Sequence, residues 1–303
     1  HSDRIRDPVL QPCGAERTYK RMTETSGRIS GYALRIINPI LIGLFLFLTI
    51  GPIYWVASSS LKSTQEVISP VPTVLPANPT LDNYGRLLQH SNFLTQLRNS
   101  VVVAAGTTAL TLIVTVLAAF GAYRGNVRWL RKLKFVAILA FVFPTALLVV
   151  PIYEILVQIG LVDTIWSGIL VNCVLTVPFS FWLVEGFFDS VPRELEEAAL
   201  VDGANRFQTA FRILLPLITP GLATIAIFAF VSSWTEYTFS SVLLINANIK
   251  TIPLGLADIL AQYNIDWGLL TTNTTLAMIP GIAFFAIAGR YFISGLVAGA
   301  LKA

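Results

Sequence analysis

The chain has 303 residues, of which 54% are hydrophobic and 13% charged, with a formal net charge of +4. Soluble globular proteins carry roughly 25% charged residues, so this composition excludes an ordinary soluble domain and indicates an integral membrane protein. The cations are spread over several loops and form no basic and aromatic binding face, so nucleic acid is not an expected partner.

The start of the chain is set apart from the rest. The sequence begins at His1, and Met22 opens a native-like start, so residues 1–21 are interpreted as vector-derived, an upstream extension or a misassigned start. The predicted organisation is an N-terminal segment over residues 1–33, followed by a membrane domain over residues 34–303.

Six apolar runs follow, and each clears the roughly 20 residues that a helix needs to cross about 30 Å of hydrocarbon. They lie at residues 34–59, 100–123, 135–157, 167–188, 218–245 and 274–296. The sequence therefore predicts an all-α integral membrane protein with six transmembrane helices surrounded by membrane lipid.

The loop between the first two spans, residues 62–98, has two parts. Its four prolines, Pro70, Pro72, Pro76 and Pro79, exclude a continuous helix in the first part. Residues 81–97 read as a short amphipathic segment that lies along the membrane interface. Two roles stay open for this loop, a simple connector and a docking site for a partner.

The distribution of lysine and arginine predicts the orientation of the spans. Cations accumulate before the first span and after the second, where residues 124–134 hold five of them and no acid. Because cytoplasmic loops carry the excess of cations, we expect both termini and residues 194–216 to lie in the cytoplasm. Residues 78 and 248 then lie outside.

Residues 194–220 are polar and helix-forming, yet they lie between two apolar runs. A first helix carries a stripe with helical spacing beside an acidic face, and Gly203 ends it because glycine tolerates positive φ. A second helix restarts near Asn205 and ends at Pro216 and Pro220. The stripe of the first helix consists of Leu195, Ala198, Ala199 and Asp202, and that of the second of Phe207, Ala210, Phe211 and Leu214.

Three acids lie within predicted spans, where a charge costs on the order of 2.5 to 3.5 kcal/mol and usually faces protein or water. Glu236, beside Trp234 and Tyr237, suits a substrate path, although pairing with a neighbouring subunit's cation is an equal alternative. Glu154 and Glu185 lie near span ends and can reach the interface.

Motifs for catalysis and for metal binding are missing from the sequence. No GxxxxGK[ST] loop occurs, so the chain does not cradle ATP phosphates in that way. His1 and His90 are the only histidines, which leaves almost nothing from which to build a histidine zinc site or a serine–histidine–aspartate triad. We therefore expect no catalytic residue, no metal and no cofactor in this chain, and no disulfide between Cys13 and Cys173.

The polar segment resembles the EAA loop of ATP-binding-cassette importer permeases, EAAxxDGAxxxxxFxxIxLP. Other stretches resemble one branch of that family, the carbohydrate-uptake permeases, and specifically the smaller six-span subunit of maltose-type importers. The matching loop residues are Glu197, Ala198, Ala199, Asp202, Gly203, Ala204, Ile213, Leu215 and Pro216, with Phe211 one position after the F of the pattern, and the other stretches are 58–62, 83–84, 99–100, 143–163, 234–237 and 290–303.

The resemblance implies a non-catalytic permease subunit in the bacterial inner membrane that imports carbohydrate by alternating access. It implies a homologous second permease, two ATPase subunits that use ATP and Mg, and an extracytoplasmic solute-binding protein as partners. The expected ATPase-coupling loop, residues 190–217, includes Glu194, Glu197, Ala198, Ala199, Asp202, Gly203, Phe207 and Phe211. The expected substrate path includes Trp234, Glu236 and Tyr237, and the expected binding-protein contact includes Asn246, Asn248 and Lys250. The C-terminal residues 299–303 would approach the ATPase subunits.

Two alternatives belong to other functional classes. A proton-coupled secondary transporter would use Glu154, Glu185 or Glu236 as proton carriers, but such proteins ordinarily show repeat symmetry and broken spans. A membrane enzyme is the weaker alternative, because the sequence offers no cluster of a nucleophile, metal ligands and a general base.

Overall fold

The computed structural model describes the backbone of residues 14–124, 137, 139 and 141–300, and the side chains of residues 37–89, 91–122, 137, 139, 141–192 and 194–290. By its internal contacts the chain divides into two units, His1–Trp55 and Val56–Ala303. Every regular element in the described part of the chain is a helix, in agreement with the predicted all-α class.

The first unit contains most of one long helix, α1, Gly14–Ser60. Within it, Ile37–Ser60 is long and apolar enough to cross a membrane. The side chains of residues 37–50 are all exposed, including Phe45 and Phe47. Apolar side chains exposed all round a helix of this length are those of a helix solvated by hydrocarbon.

The second unit holds the remaining helices. In chain order these are α2 Thr64–Val67, α3 Asp82–His90, α4 Phe93–Arg124, a 3₁₀ turn Thr145–Leu148, α5 Val149–Gln158, α6 Ile165–Asp189, α7 Arg193–Val201, α8 Arg206–Thr209, a π segment Ala210–Leu214, α9 Leu215–Leu217, α10 Thr219–Trp234, α11 Ser240–Leu243, α12 Ile252–Leu260 and α13 Trp267–Ala300.

The predicted spans compare with these helices as follows. In the part of the chain that the structure describes, four helices qualify as spans by length and composition, Ile37–Ser60, Phe93–Ala122, Ile165–Asp189 and Trp267–Arg290, which confirms the first, second, fourth and sixth predictions. The fifth is a pair of helices bent by 75°, Arg206–Leu217 and Thr219–Trp234. The described part of the third contains the short apolar helix Thr145–Gln158. The count of six therefore stays a prediction at that position.

The fifth predicted span ran to residue 245, but its helix ends at Trp234. A separate short helix, α11, follows after a non-helical stretch at residues 235–239. The physical reason is the carboxylate of Glu236, which bonds to the backbone at the start of α11 and so stabilises a new helix start.

Polar side chains join α4, α6 and α10 inside the bundle. The Thr111 and Thr176 hydroxyls lie 2.8 Å apart between α4 and α6. Ser233 of α10 donates to Thr107 of α4 at 3.3 Å. Between membrane helices, where burial of apolar surface gives little driving force, such bonds contribute about 0.6 to 2 kcal/mol each.

The 81–97 segment differs from its prediction. The non-helical residues 91–92 separate α3 from α4. The side chain of Leu87 on α3 is 1% exposed, so this helix packs against other parts of the protein. Asn83 donates to the carbonyls of Ser60 and Lys62, and Arg86 pairs with Asp266 before α13. This helix therefore contacts the ends of two spans, and its role as a simple connector or as a docking site stays open.

The backbone of Gly221 and the ring of Phe187 approach closely where the end of α6 packs against the start of α10. A Cβ at the buried Gly221 would overlap the ring of Phe187. The core around this contact contains Phe181, Val184 and Phe188 from α6 and Ile225 from α10.

Gly221→Ala is expected to destabilise the protein by about 1 to 3 kcal/mol, because overpacking forces side chains from their preferred rotamers. The measurement is thermal unfolding of the purified protein in detergent. Gly281→Ala is the matched control, since nothing lies within 4 Å of the Cβ that it would add. Equal melting temperatures for the two variants would contradict the packing described here.

Candidate functional site

A helical hairpin over residues 193–217 lies between two membrane helices. Its first helix, α7, follows Pro192 and carries Glu194 and Glu196 in its first turn, where carboxylates interact favourably with the helix dipole. The helix ends in a Schellman motif, in which Ala204 N–H donates to the Ala199 carbonyl at 3.0 Å and Gly203 N–H to the Leu200 carbonyl at 3.1 Å. Gly203 has φ +85°, as the sequence predicted.

The second helix begins with a capping box. The Asn205 side chain accepts a hydrogen bond from Gln208 N–H at 2.8 Å, and the Gln208 side chain accepts one from Asn205 N–H at 2.9 Å. The two reciprocal bonds fix where this helix starts, which confirms the predicted restart near Asn205.

The second helix contains a π segment before it turns into the membrane. Over Ala210–Leu214 the helix widens, and Leu215 N–H reaches back to the Ala210 carbonyl. Pro216 follows and lacks the N–H that would continue an ordinary α-helical ladder. The chain then bends by 75° between α9 and α10, so the break lies between the two predicted prolines, Pro216 and Pro220.

The hairpin has a buried side that attaches it to the bundle. Leu214 and Ile218 are at most 1% exposed and belong to the same core cluster as Ala119 and Ala122 of α4 and Phe188 of α6. Thr209 and Ala210 are also buried. The second helix of the hairpin therefore packs directly against the spans.

The other side of the hairpin is exposed and mixes apolar with charged side chains. Val201 is 88% exposed and Phe207 64%, and the ring centroids of Phe207 and Phe211 lie 4.4 Å apart. Large apolar side chains exposed together on a polar helix pair are characteristic of an interaction surface. The exposed set includes seven of the eight residues expected from the sequence, namely Glu194, Glu197, Ala198, Asp202, Gly203, Phe207 and Phe211.

The eighth residue, Ala199, is 5% exposed and packs within the hairpin itself. Its carbonyl also closes the turn at Gly203. The structure therefore gives Ala199 a place in the internal packing of the hairpin.

Gly203→Val is expected to open the turn of the hairpin, because a Cβ in the left-handed region costs roughly 1 to 2 kcal/mol. Hydrogen exchange of the amides of residues 200–208 in the purified protein measures this opening. Gly203→Asn is the control, since asparagine tolerates positive φ, and it should keep most of the protection. Equal protection in Gly203→Val and the parent would contradict the turn assignment.

A second group of expected residues lies at the end of α10. Trp234 is half-buried and stacks on Phe230 with ring centroids 5.6 Å apart, and Phe230 in turn stacks on Phe284 at 3.9 Å. Tyr237 is 48% exposed. Glu236 accepts hydrogen bonds from Phe239 N–H at 2.6 Å, Ser240 N–H at 3.0 Å and the Ser240 hydroxyl at 2.7 Å.

These bonds correct the expectation that Glu236 lies within a continuous fifth helix. The carboxylate lies at the break between α10 and α11, where it caps the second of these helices. Sequence reasoning missed this role, because apolar residues continue past Trp234 and the hydropathy pattern gives no sign of a new helix start.

The loop at residues 244–252 is held from two sides. On one side, Asp163 Oδ1 accepts from Ile245 N–H at 2.9 Å and Asn246 N–H at 2.8 Å. On the other, Asn99 donates to the carbonyls of Asn248 at 2.9 Å and Lys250 at 3.0 Å. Asn246 and Asn248 therefore stay exposed on a loop whose backbone is fixed.

Further contacts complete this loop. Ser100 accepts from Ile252 N–H at 2.8 Å, and Lys250 pairs with Asp258 at 2.7 Å. Beyond α12, Tyr263 is fully exposed. The sequence pattern did not single out Asp163, because its hydrogen-bond partners are distant along the chain. It did not single out Tyr263, because the exposure of a side chain depends on how the rest of the chain packs.

Asp163→Ala is expected to release the loop at residues 245–246. The variant loses two hydrogen bonds of about 0.5 to 1.5 kcal/mol each and places alanine at φ +62°. Asp163→Asn keeps both the acceptor and the tolerance for this backbone conformation, so it is the matched control. Amide exchange at Ile245 and Asn246 should accelerate in the alanine variant only; similar rates in both variants would contradict the clamp.

Two further acids lie within the predicted spans. Glu154 is exposed on α5, and Glu185 is buried in α6. Among the residues that the structure describes, no three His, Cys, Asp or Glu side chains are grouped closely enough to hold a metal ion. Cys173 is buried with a free thiol.

Comparison with known proteins gives consistent matches. The family model described as "Binding-protein-dependent transport system inner membrane component" matches residues 111–298. The chain is 32% identical to a sulfoquinovosyl glycerol transport system permease protein of Agrobacterium fabrum, over 91% of this chain and 96% of that protein. It is 30% identical to a diacetylchitobiose uptake system permease protein of Streptomyces coelicolor, over 83% and 91% respectively.

Among solved structures, the fold is similar to that of a chain from a bacterial ABC transporter involved in the import of the acidic polysaccharide alginate. The TM-score is 0.74 at 24% identity, covering 88% of this chain and 98% of that chain.

Proposed function

The chain belongs to the family of binding-protein-dependent transport system inner membrane components, and from this premise we propose that it imports a carbohydrate as one permease subunit of an ATP-driven importer. The observation that carries the proposal is the exposed 193–217 hairpin, which lies inside the matched residues 111–298. Its neighbours in the assembly are a homologous second permease, two ATPase subunits and an extracytoplasmic binding protein.

The substrate class rests on the relatives. One is named for sulfoquinovosyl glycerol and another for diacetylchitobiose, and both names describe sugar derivatives. In this chain, Trp234 and Tyr237 offer aromatic surfaces at the end of α10, which suit the apolar faces of sugar rings. Glu236 supports them by fixing the backbone at the break.

The ATPase subunits dock on the exposed side of the hairpin. Phe207 and Phe211 would fill an apolar cleft in the ATPase, while Glu194, Glu197 and Asp202 would face its basic rim. Aromatic side chains at the centre of an interface usually contribute most of its binding energy, and rim charges mainly steer association. ATP and Mg are used by these partners.

The binding protein docks on the opposite side of the membrane. Asn246, Asn248 and Lys250 lie on the loop that Asp163 and Asn99 hold, and Tyr263 extends this surface. A fixed loop loses little conformational entropy when a partner binds.

The proton-coupled alternative is not favoured. Relatives over most of this chain are permeases of transport and uptake systems of the binding-protein-dependent family. Glu154 is exposed, and Glu236 already bonds to the start of α11. Of the three acids named for that alternative, only Glu185 faces the bundle interior, as a proton carrier in a span would, and it lies near the end of α6, four residues before Asp189.

The proposal is tested on the complex that copurifies with this chain, reconstituted in nanodiscs. Sugars and oligosaccharides are screened for stimulation of ATP hydrolysis in the presence of the binding protein. A carbohydrate that stimulates hydrolysis supports the proposal. Uptake that follows a proton gradient and continues without ATP would refute it.

Phe207→Ala is expected to weaken the assembly with the ATPase by about 2 kcal/mol or more, as removal of a central aromatic anchor does. Glu197→Ala should act mainly on the association rate and its salt dependence. Binding of the detergent-purified permease pair to the isolated ATPase measures both. Glu154→Ala, an exposed acid outside the hairpin, is the control, and parental affinity in Phe207→Ala would contradict the docking surface.

Sidedness provides an independent prediction. Single cysteines at Asn78, Glu197 and Asn248, all exposed positions, are introduced after Cys13 and Cys173 have been replaced. An impermeant thiol reagent added outside intact cells should label positions 78 and 248 and leave position 197 unlabelled, because cation-rich loops stay inside. Labelling of position 197 would invert the topology and remove the hairpin from the side of the ATPase.

A further inference from the structure

The segment at residues 67–81, which follows the first span closely, combines exposed apolar side chains with a complete lack of charge. No Asp, Glu, Lys or Arg occurs within it, and four of its residues are proline. Five of its large apolar side chains are between 60% and 74% exposed, namely Ile68, Val71, Val74, Leu75 and Leu81. Such a concentration of exposed apolar side chains in a segment without charge marks an interaction site.

Two charged side chains before this segment, Lys62 and Glu66, form hydrogen bonds with it. The Lys62 side chain is part of the buried interior, at 2% exposure for the residue, and its ammonium donates to the Thr73 carbonyl. Glu66 accepts hydrogen bonds from the Thr73 hydroxyl at 2.6 Å and from Ala77 N–H at 2.9 Å. The Thr73 hydroxyl, followed by the Ala77 N–H, holds the pKa of the Glu66 carboxyl below its ordinary value.

The backbone of the segment is tied to the end of α1. The Ser58 hydroxyl donates to the Val74 carbonyl at 3.0 Å, and Thr80 N–H donates to the Leu61 carbonyl at 2.9 Å. The segment is therefore attached at its middle to the last turn of α1, and near its C-terminal end to Leu61 just after that helix, whose residues Ile37–Ser60 are long and apolar enough to cross a membrane. A position at the end of a span is a position at the boundary between hydrocarbon and water.

From these contacts we propose that residues 67–81 rest in the lipid interface where the first span ends, with Val71, Val74 and Leu75 inserted between the headgroups and the acyl chains. Interfacial segments bind through buried apolar area and need their backbone bonded internally or to water. Lys62 and Glu66 supply those internal bonds and keep charge away from the lipid-facing side.

A different exposed loop supports the choice of lipid over water. The stretch at residues 258–266 carries two acids, Asp258 and Asp266, and this charge suits it to an aqueous surface. The 67–81 segment has no comparable charge, and its prolines restrict the backbone, which lowers the entropy that insertion would cost.

Spin labels test the proposal in the complex of permease and ATPase subunits without the binding protein, reconstituted in nanodiscs of phosphatidylcholine and phosphatidylglycerol. Single cysteines replace Val71, Leu75, Phe47 or Tyr263 after Cys13 and Cys173 have been exchanged. Collision with oxygen, which concentrates in hydrocarbon, and with a water-soluble nickel chelate is measured for each label. Phe47→Cys is the hydrocarbon control and Tyr263→Cys the aqueous control, because both positions are exposed and lie outside the segment.

Labels at positions 71 and 75 should collide preferentially with oxygen, with a depth parameter between those of the two controls. A depth parameter equal to that of Tyr263→Cys would overturn the proposal in favour of water. Poor access to both reagents would overturn it in favour of a protein partner that covers the segment. If the variant labelled at position 71 or 75 does not assemble, the other variant still decides the test. Neither result depends on the identity of the transported molecule.

Discussion

The structure depends on one constraint, namely that backbone groups released where a helix breaks near the membrane must be bonded within the protein. Each unsatisfied group in hydrocarbon costs several kcal/mol. The Glu236 carboxylate accepts hydrogen bonds from backbone N–H groups at the start of α11, and the Asp163 carboxylate accepts them from residues 245–246. The Asn99 side chain donates to the carbonyls of residues 248 and 250. Asn99 lies on α4, while Asp163 and Glu236 lie in short connections next to helices, so these bonds fix the backbone of the loops that the three side chains hold.

Much of the fold follows from local sequence. A span needs only enough consecutive apolar residues, so four of the six predicted spans match helices of suitable length. Gly203 and Asn205 have equally local causes, since a positive φ and a capping box involve only neighbouring residues. The hairpin, with its exposed aromatic side chains, could therefore be predicted almost completely from the sequence.

The parts that the sequence did not predict are those that depend on distant residues. Asp163 and Ile245 are separated by 82 positions, so no local pattern relates them. At the end of the fifth span, apolar residues continue past Trp234, and the hydropathy pattern hides the break that Glu236 stabilises. Ala199 matches the loop motif, as its exposed neighbours do. Only its burial in the folded protein distinguishes it from them.

The bend at Ile218 gives the hairpin mechanical leverage over the fifth span. The hairpin continues into α10 through a 75° turn with one intervening residue, and Leu214 and Ile218 are seated in the core on either side of Pro216. The 16 residues of α10 extend about 24 Å at 1.5 Å per residue. A rigid tilt of about 10° at its base would carry Trp234 about 4 Å sideways over that length. Small rotations of the hairpin are therefore magnified at the far end of the helix, where the aromatic stack begins.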